Sequence, residues 1–200
     1  MIQYTLNVAS LVGSRICHDL ISPVGAINNG LELISMGGPL ETPELQLISD
    51  SVMNAMARIK FFRIAFGSSA GEQLLGAPEI AKIAHDAFAS GRHQADWHAH
   101  GDISRAELQA VFLAMLCIEI ALPRGGTIAV TRQAGMVRIT GSGPRVACDP
   151  ALWVPLAGAA TPAADIRPAH VQFALLPLAL ASLGRTLTVS ETPEQIDIAF

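Results

Sequence analysis

The sequence has little charge and no excess of positive charge. Only 15% of its 200 residues are charged, the formal net charge is −4, and half of the residues are apolar. A surface that binds nucleic acid normally needs clustered lysine and arginine, so we expect no nucleic-acid partner. The apolar content indicates a folded protein with one large domain or two modest ones.

Long apolar runs are also missing. The longest, Ala110 to Leu122, contains Glu119 and is shorter than the roughly 20 residues that cross a bilayer. No basic leader precedes an apolar run near the N-terminus, so we expect neither a secretory signal nor a membrane anchor. The three cysteines, Cys17, Cys117 and Cys148, have no paired spacing, which is typical of reduced thiols. We therefore expect a cytoplasmic protein.

Two segments near the N-terminus have apolar residues at steps of three and four, the spacing of amphipathic helices. The first runs from Leu6 to Met36, and the second opens at Thr42 or Pro43 and runs to Gly67. The short loop between them predicts an antiparallel hairpin. Because a hairpin alone cannot enclose a core, we predict that two copies form a dimeric four-helix bundle.

A stretch from Gly67 to Gly76, rich in small and polar residues, indicates a linker. It separates a predicted hairpin domain over residues 1–68 from a second domain over residues 76–200. In the second domain helices alternate with strand pairs, which predicts an α/β sandwich and an α+β chain overall. The predicted helices span 77–90, 104–122, with Ser104 as N-cap, and 168–183, and the predicted strands span 95–100, 127–133, 136–140, 185–190 and 195–199.

His18 occupies the polar side of the first predicted helix. At about 100° per residue it lies about 200° from both Ile16 and Leu20, so its imidazole projects away from the core. A neutral imidazole has an unprotonated ring nitrogen that can attack a phosphoryl group. These properties make His18 a candidate nucleophile that serves another protein.

Three residues around His18 are candidates for supporting roles. Asp19 can orient the imidazole or accept its proton, and Arg15 and Ser22 lie one turn to either side, where they can hold phosphoryl oxygens. Pro23 lies inside the helical pattern and predicts a bend one turn beyond the histidine. The other histidines lack the pairing of a metal site, so no metal ligands are predicted.

The run His18-Asp19-Leu20-Ile21-Ser22-Pro23 resembles the phosphoacceptor box of sensor histidine kinases, His-Glu/Asp-Leu-x-x-Pro. In those proteins the box lies in the first helix of the dimerisation domain. The long helix, the hairpin, the linker and the α/β domain of this chain occur in the same order as in such kinases.

The second domain resembles the kinase ATP-binding domain, but its nucleotide boxes are degenerate. Pro123-Arg124-Gly125-Gly126 matches the end of one box, whereas Leu113 and Cys117 occupy the positions that would hold magnesium and phosphate. Gly141 replaces the aspartate of the adenine-binding box, and Arg145 replaces its last glycine. The third glycine-rich box, expected near residues 169–171, is missing from the sequence.

A histidine kinase architecture that keeps the phosphoacceptor and lacks the nucleotide boxes is similar to the ChpT-type histidine phosphotransferases of alphaproteobacterial phosphorelays. The resemblance covers nearly the whole chain, including the runs 15–23, 62–67 and 171–172. It implies a homodimer through the hairpin, no bound ATP or other cofactor, and a phosphoryl group on His18. The donor would be the receiver domain of a hybrid histidine kinase and the recipients the receiver domains of response regulators, with magnesium on the partner receiver.

Docking of a receiver is expected on the face around His18, with Arg15, Asp19 and Ser22. Arg58, Arg63 and Lys60 of the second helix either extend that face or are ordinary solvated positions. One alternative function is an active histidine kinase, which Cys117 and Gly141 disfavour. The other is a dimeric scaffold or anti-kinase adaptor in which His18 has no role.

Overall fold

The computed structural model describes residues 2–35, 42–68, 73–158 and 166–200. Its N-terminal part consists of helix α1, Ile2–Ser35, and helix α2, Thr42–Ala65, which pack along each other as a hairpin. Pro23 lies inside α1, and the helix continues past it. The predicted hairpin is confirmed, and the loop that joins its helices lies outside the described residues.

The C-terminal part is built around one mixed sheet. Its strands lie in the order β2-β4-β5-β7-β6, with β2 parallel to β4 and the other neighbours antiparallel, and a separate two-stranded sheet pairs β1 with β3. The strands are β1, Leu74–Leu75; β2, His93–Trp97; β3, Ile103–Ser104; β4, Gly126–Gln133; β5, Met136–Ser142; β6, Thr188–Glu191; and β7, Gln195–Ala199. The helices are α3, Ala77–Phe88; α4, Arg105–Ala121; α5, Pro150–Leu156; and α6, Val171–Ser182, which follows a 3₁₀ turn, Pro168–His170.

Helix α4 is buried because it packs against the sheet, α6 and the end of α2. The ring of Phe112 on α4 stacks on the ring of Phe61 on α2, with centroids 4.2 Å apart and planes 4° from parallel. Such a buried aromatic pair contributes about 0.5–1.5 kcal/mol beyond the area it buries. The hairpin and the C-terminal part thus share one apolar core.

The end of α2 is also tied to α4 by hydrogen bonds. Arg105 donates from Nη2 to the carbonyl of Arg63 at 2.8 Å, and Gln109 donates from Nε2 to the carbonyl of Ala65 at 3.3 Å and to that of Gly67, just beyond the helix, at 2.7 Å. The last carbonyls of a helix have no partner within the helix, so side chains of α4 satisfy them here. These bonds hold the hairpin at a defined position on the C-terminal part.

The hairpin exposes a large set of apolar side chains along both helices. On α1, Val24 and Leu31 are seven residues apart, and on α2, Val52, Met56 and Ile59 follow at steps of four and three, so each group lies on one helical face. Among the hairpin side chains that the structure describes, the set comprises Ile21, Val24, Leu31, Leu33, Leu45, Leu47, Val52, Met53, Met56 and Ile59. Apolar patches of this extent normally mark an interface.

Most elements predicted from the sequence are confirmed, including the N-cap of α4, where the Ser104 hydroxyl accepts a hydrogen bond from the amide of Glu107 at 3.2 Å. Strand β2 begins two residues before the predicted start, and β6 begins three residues after it. The short elements α5, β1 and β3 were not predicted. Strands of two residues are too short to show an alternating pattern, and Pro155 lies inside α5, where a proline argues against a helix.

Among the described residues no helix combines the length and the hydropathy needed to cross a bilayer.

Candidate functional site

His18 projects from α1 into solvent, as its position on the helix predicted. Its side chain is 85% exposed, and its Nδ1 atom lies 3.1 Å from Oδ1 of Asp19. A carboxylate only accepts hydrogen bonds, so in the neutral imidazole the proton is on Nδ1 and Nε2 carries a free lone pair. Nε2 is therefore the nucleophilic atom of this side chain.

Asp19 is held between two guanidinium groups. Its side chain is only 12% exposed, and its Oδ2 atom lies 3.0 Å from Nε of Arg15 and 3.6 Å from Nη1 of Arg58. The two arginines use one carboxylate oxygen and His18 uses the other. Ion pairs that are largely shielded from solvent keep their geometry better than exposed ones.

Arg15 lies in a different place from the one expected. The sequence placed it on the exposed docking face, but its side chain is 8% exposed because the C-terminal part covers it. Its Nη1 atom donates to the carbonyl of Ala169 at 2.6 Å, and its Nη2 atom lies 3.8 Å from Oε2 of Glu119. The prediction of an exposed Arg15 is therefore wrong, since helical periodicity does not show which side of α1 another domain covers.

Glu119 belongs to the site, although the sequence analysis gave it no role there. It lies in the last turn of α4, and its side chain is 15% exposed. His93 on β2 donates from Nε2 to the carbonyl of Leu122 at 2.9 Å and turns Nδ1 toward Oε1 of Glu119, at 3.9 Å. A single charge inside an apolar run is the sequence signal that could have pointed to this residue.

Grooves on several sides of His18 are lined by both parts of the chain. One, of about 490 Å³, includes Arg58, Arg92 and His93, and another, of about 400 Å³, includes Arg167. Arginine side chains thus line grooves beside the exposed imidazole, together with the carboxylates of Asp19 and Glu119. Across the described residues we find no group of His, Cys, Asp and Glu that could hold a metal ion.

The remaining predicted site residues are only partly brought together. Ser22 and Arg58 line a groove of about 270 Å³ beside Asp19. Arg63 and Lys60 are exposed, and in the described part of the chain no hydrogen bond or ion pair links either side chain to His18. The structure therefore groups Ser22 and Arg58 around Asp19.

Near the turn where the sequence resembles an adenine-binding box, the space is filled by side chains. A Cβ atom placed on Gly141 would overlap Cγ2 of Ile118 and lie 3.3 Å from Cδ1 of Leu122. An aspartate can therefore occupy this position only if Ile118 moves. The side chains of Ile118 on α4 and of Leu122, just beyond that helix, fill the space that a carboxylate would need.

The helix positions that resemble the magnesium box are equally apolar. Leu113 and Cys117 are buried in the core, and complete burial raises the pKa of the Cys117 thiol well above its ordinary value. A protonated, buried thiol is a poor ligand for magnesium, which prefers oxygen. Arg145, at the place of the last glycine, is exposed.

Comparisons with known proteins show which family this chain is similar to. Residues 77–195 match the family model of the histidine phosphotransferase C-terminal domain. The protein phosphotransferase ChpT of Brucella abortus (strain 2308) is 43% identical over 128 residues, which are 62% of this chain and 60% of the relative. That match spans less than two thirds of either protein.

Solved structures extend the comparison to nearly the whole chain. A bacterial phosphotransferase with 32% identity aligns over 97% of this chain and 95% of that chain, with a TM-score of 0.81. The histidine kinase AdeS of Acinetobacter baumannii, 13% identical, aligns over 91% of this chain and 95% of that chain with a TM-score of 0.47. The chain therefore belongs to the histidine phosphotransferase family and is similar to its ChpT-type members, which confirms the resemblance found in the sequence.

Proposed function

We propose that His18 accepts a phosphoryl group from the aspartyl phosphate of a receiver domain and passes it to the receiver domain of a response regulator. The observation that carries this proposal is the orientation of the imidazole. Nδ1 is bound to the shielded Asp19, and Nε2 faces solvent on an exposed helical surface. A nucleophile that serves another protein needs this combination of fixed orientation and open access.

In the proposed step Nε2 attacks phosphorus in line with the bond to the aspartyl oxygen. The N–P bond forms as that P–O bond breaks, and the receiver carboxylate leaves with the electron pair. Asp19 accepts the hydrogen bond from Nδ1–H and stabilises the positive charge that develops on the ring. Magnesium and a lysine of the receiver would neutralise the phosphoryl oxygens, so this chain needs no metal of its own.

Docking is proposed on the surface of α1 around His18. Ser22 and Arg58 line the groove on one side of Asp19, and Arg92 and Arg167 lie beside His18 on the C-terminal part. Receiver active sites are acidic because they bind a cation, so a positive rim favours their approach. Arg15 is left out of this docking surface because it is buried.

We propose that the C-terminal domain transfers no phosphoryl group from ATP. The overlap between a Cβ atom at Gly141 and Ile118, together with the burial of Cys117, supports this. A nucleotide would lack both the carboxylate that recognises the adenine amino group and the oxygen ligands for magnesium. The protein is thus proposed to be a phosphohistidine carrier and not a kinase.

The proposed assembly is a homodimer through the hairpin. Val24 and Leu31 on α1 and Val52, Met56 and Ile59 on α2 are exposed in the single chain. A second copy would cover them in a four-helix bundle and leave both His18 side chains on its outer surface. We expect this relay protein in the cytoplasm.

The proposal is tested by transfer from receiver domains that have been labelled with radioactive acetyl phosphate. Wild-type protein should take the label from at least one receiver of the same organism and should take none from labelled ATP. Label acquired from ATP would establish a kinase instead. If no receiver of that organism transfers label, the protein is a scaffold or adaptor and the proposal is wrong.

A further inference from the structure

The guanidinium group of Arg15 joins the two parts of the chain at the phosphoacceptor. Its Nε atom contacts Asp19 on α1, at 3.0 Å, whereas Nη1 and Nη2 reach Ala169 and Glu119 of the C-terminal part, at 2.6 and 3.8 Å. Each of its three nitrogens thus has its own partner. Arg15 cannot turn without losing a contact on one side or the other.

Glu119 has few ways to be stabilised apart from Arg15. It lies in the last turn of α4, where the helix dipole disfavours a carboxylate. Its Oε2 atom is buried and, within the described part of the chain, makes no hydrogen bond. The positive or polar groups that face it are the Arg15 guanidinium and the imidazole of His93. Holding a carboxylate in these surroundings lowers the stability of the folded protein. A use in the phosphoacceptor site would account for its presence.

The use follows from how the oxygens of Asp19 are divided. Arg15 binds only Oδ2, through Nε, which leaves Oδ1 for Nδ1 of His18. Free guanidinium and carboxylate groups prefer a two-point contact that takes up both oxygens. The Ala169 carbonyl accepts a hydrogen bond from Nη1, and the carboxylate of Glu119 attracts Nη2 from 3.8 Å, so both oppose that contact.

We propose that Glu119 is a positioning residue for the phosphoacceptor: it restrains Arg15, so that Asp19 keeps one oxygen for the imidazole of His18. The inference rests on the function proposed above. Through Glu119 on α4 and Ala169 in the 3₁₀ turn, the degenerate C-terminal domain would then influence the reactivity of His18 on the hairpin.

The test compares full-length wild type with Glu119→Gln. Nitrogen-15 NMR of the unphosphorylated protein reports which ring nitrogen of His18 carries the proton, and kinetics with the best receiver give kcat and KM. In Glu119→Gln we expect a smaller Nδ1–H population and a kcat lower by about tenfold, since slight misplacement of a reacting group has costs of this order. KM should stay unchanged, because the exposed docking surface keeps its residues.

Glu107→Gln is the matched control. Glu107 is also a buried glutamate of α4, but its carboxylate pairs with Arg132 at 3.2 Å and Arg185 at 3.0 Å, away from Arg15. Its substitution should leave the His18 tautomer and kcat as in wild type. Arg15→Lys in the Glu119→Gln background serves as a second variant, because a lysine ammonium keeps the charge and cannot make the two-point contact of a guanidinium. It should restore the wild-type tautomer.

The inference is overturned if Glu119→Gln keeps the wild-type tautomer and kcat, or if Glu107→Gln lowers kcat to the same extent. Failure of the proposed function gives a different result, since wild type itself would then accept no phosphoryl group. In that case the NMR comparison still decides whether Glu119 controls the imidazole.

Discussion

Nδ1 of His18 lies 3.1 Å from Oδ1 of Asp19, so a largely buried carboxylate orients an imidazole that is almost fully exposed. The neighbouring residues thus differ sharply in their surroundings. Asp19 is held by Arg15 and Arg58 and does not move freely with the solvent-exposed ring. This asymmetry accounts for a nucleophile that is both accessible to another protein and fixed in direction.

Replacing Asp19 with asparagine should slow phosphoryl transfer by about 10²-fold or more, the usual range for loss of a group that handles a proton. The amide cannot stabilise the positive ring, and Arg15 and Arg58 lose their shared anion. Rapid-quench kinetics with a labelled receiver measure the change. Asp50→Asn is the control, because Asp50 is exposed on α2 and pairs with Gln46. Equal rates for Asp19→Asn and wild type would contradict the proposed role.

The exposure of His18 was predictable from the sequence, and the burial of Arg15 was not. A helical period relates residues on one helix, so it placed His18 opposite Ile16 and Leu20. Two of the three partners described for Arg15, Glu119 and Ala169, lie more than 100 positions away in the sequence. Only the packing of the C-terminal part on α1 brings them together, and no local pattern encodes that packing.

The same distinction applies to the fold. The long helices and the strands β4, β5 and β7 follow from apolar spacing, and the cap of α4 follows from Ser104. The domain limits 1–68 and 76–200 remain a prediction, and part of the predicted linker between them lies outside the described residues. The shared core of Phe61 and Phe112 could not be foreseen, because it joins residues of two predicted domains.

Filling the space at Gly141 should destabilise the protein. In Gly141→Ala the new methyl group would overlap Ile118, and overpacking of this kind costs about 1–3 kcal/mol. Urea unfolding measures the loss. Gly13→Ala is the matched control, because its Cβ would meet nothing within 4 Å and the helix would gain up to about 1 kcal/mol. If Gly141→Ala were as stable as wild type, the space near Ile118 would be open and the argument against nucleotide binding would lose one of its two supports.

Charges on the exposed apolar faces should separate the dimer. The double variant Val24→Asp, Met56→Asp places carboxylates where two copies would meet, and burying such unpaired charges is unfavourable. Analytical ultracentrifugation should show twice the chain mass for wild type and the single-chain mass for the variant. Asn29→Asp, an exposed polar position on α1, adds charge as the control and should leave the mass unchanged. A wild type of single-chain mass at high concentration would contradict the proposed dimer.

Cys17 should report where a receiver docks, because it is exposed and next to His18. Burial, reinforced by Glu191, raises the pKa of Cys148 to about 12, and burial also raises that of Cys117. At pH ~8 iodoacetamide should therefore modify Cys17 first, since the thiolate is the reactive form. Excess receiver should slow this modification, as measured by mass spectrometry.

The control for this protection experiment is a cysteine introduced at the edge of the sheet that lies away from the site. Ser190 is exposed on β6, at the opposite edge from β2, which lies beside the site. In a Cys17→Ser background, Ser190→Cys should be modified at the same rate with and without receiver. Protection of Ser190→Cys but not of Cys17 would place docking away from His18.

In the function proposed above, the phosphoryl group is carried on Nε2 of His18. The direct measurement is phosphorus and nitrogen-15 NMR of protein phosphorylated by a receiver domain, together with label transfer to His18→Ala and to His85→Ala, an exposed histidine on α3. We predict a single phosphoryl group bonded to Nε2 of His18, full transfer to His85→Ala and none to His18→Ala. Phosphorylation of His18→Ala, or a phosphoryl group on Nδ1 or on another residue, would contradict this account.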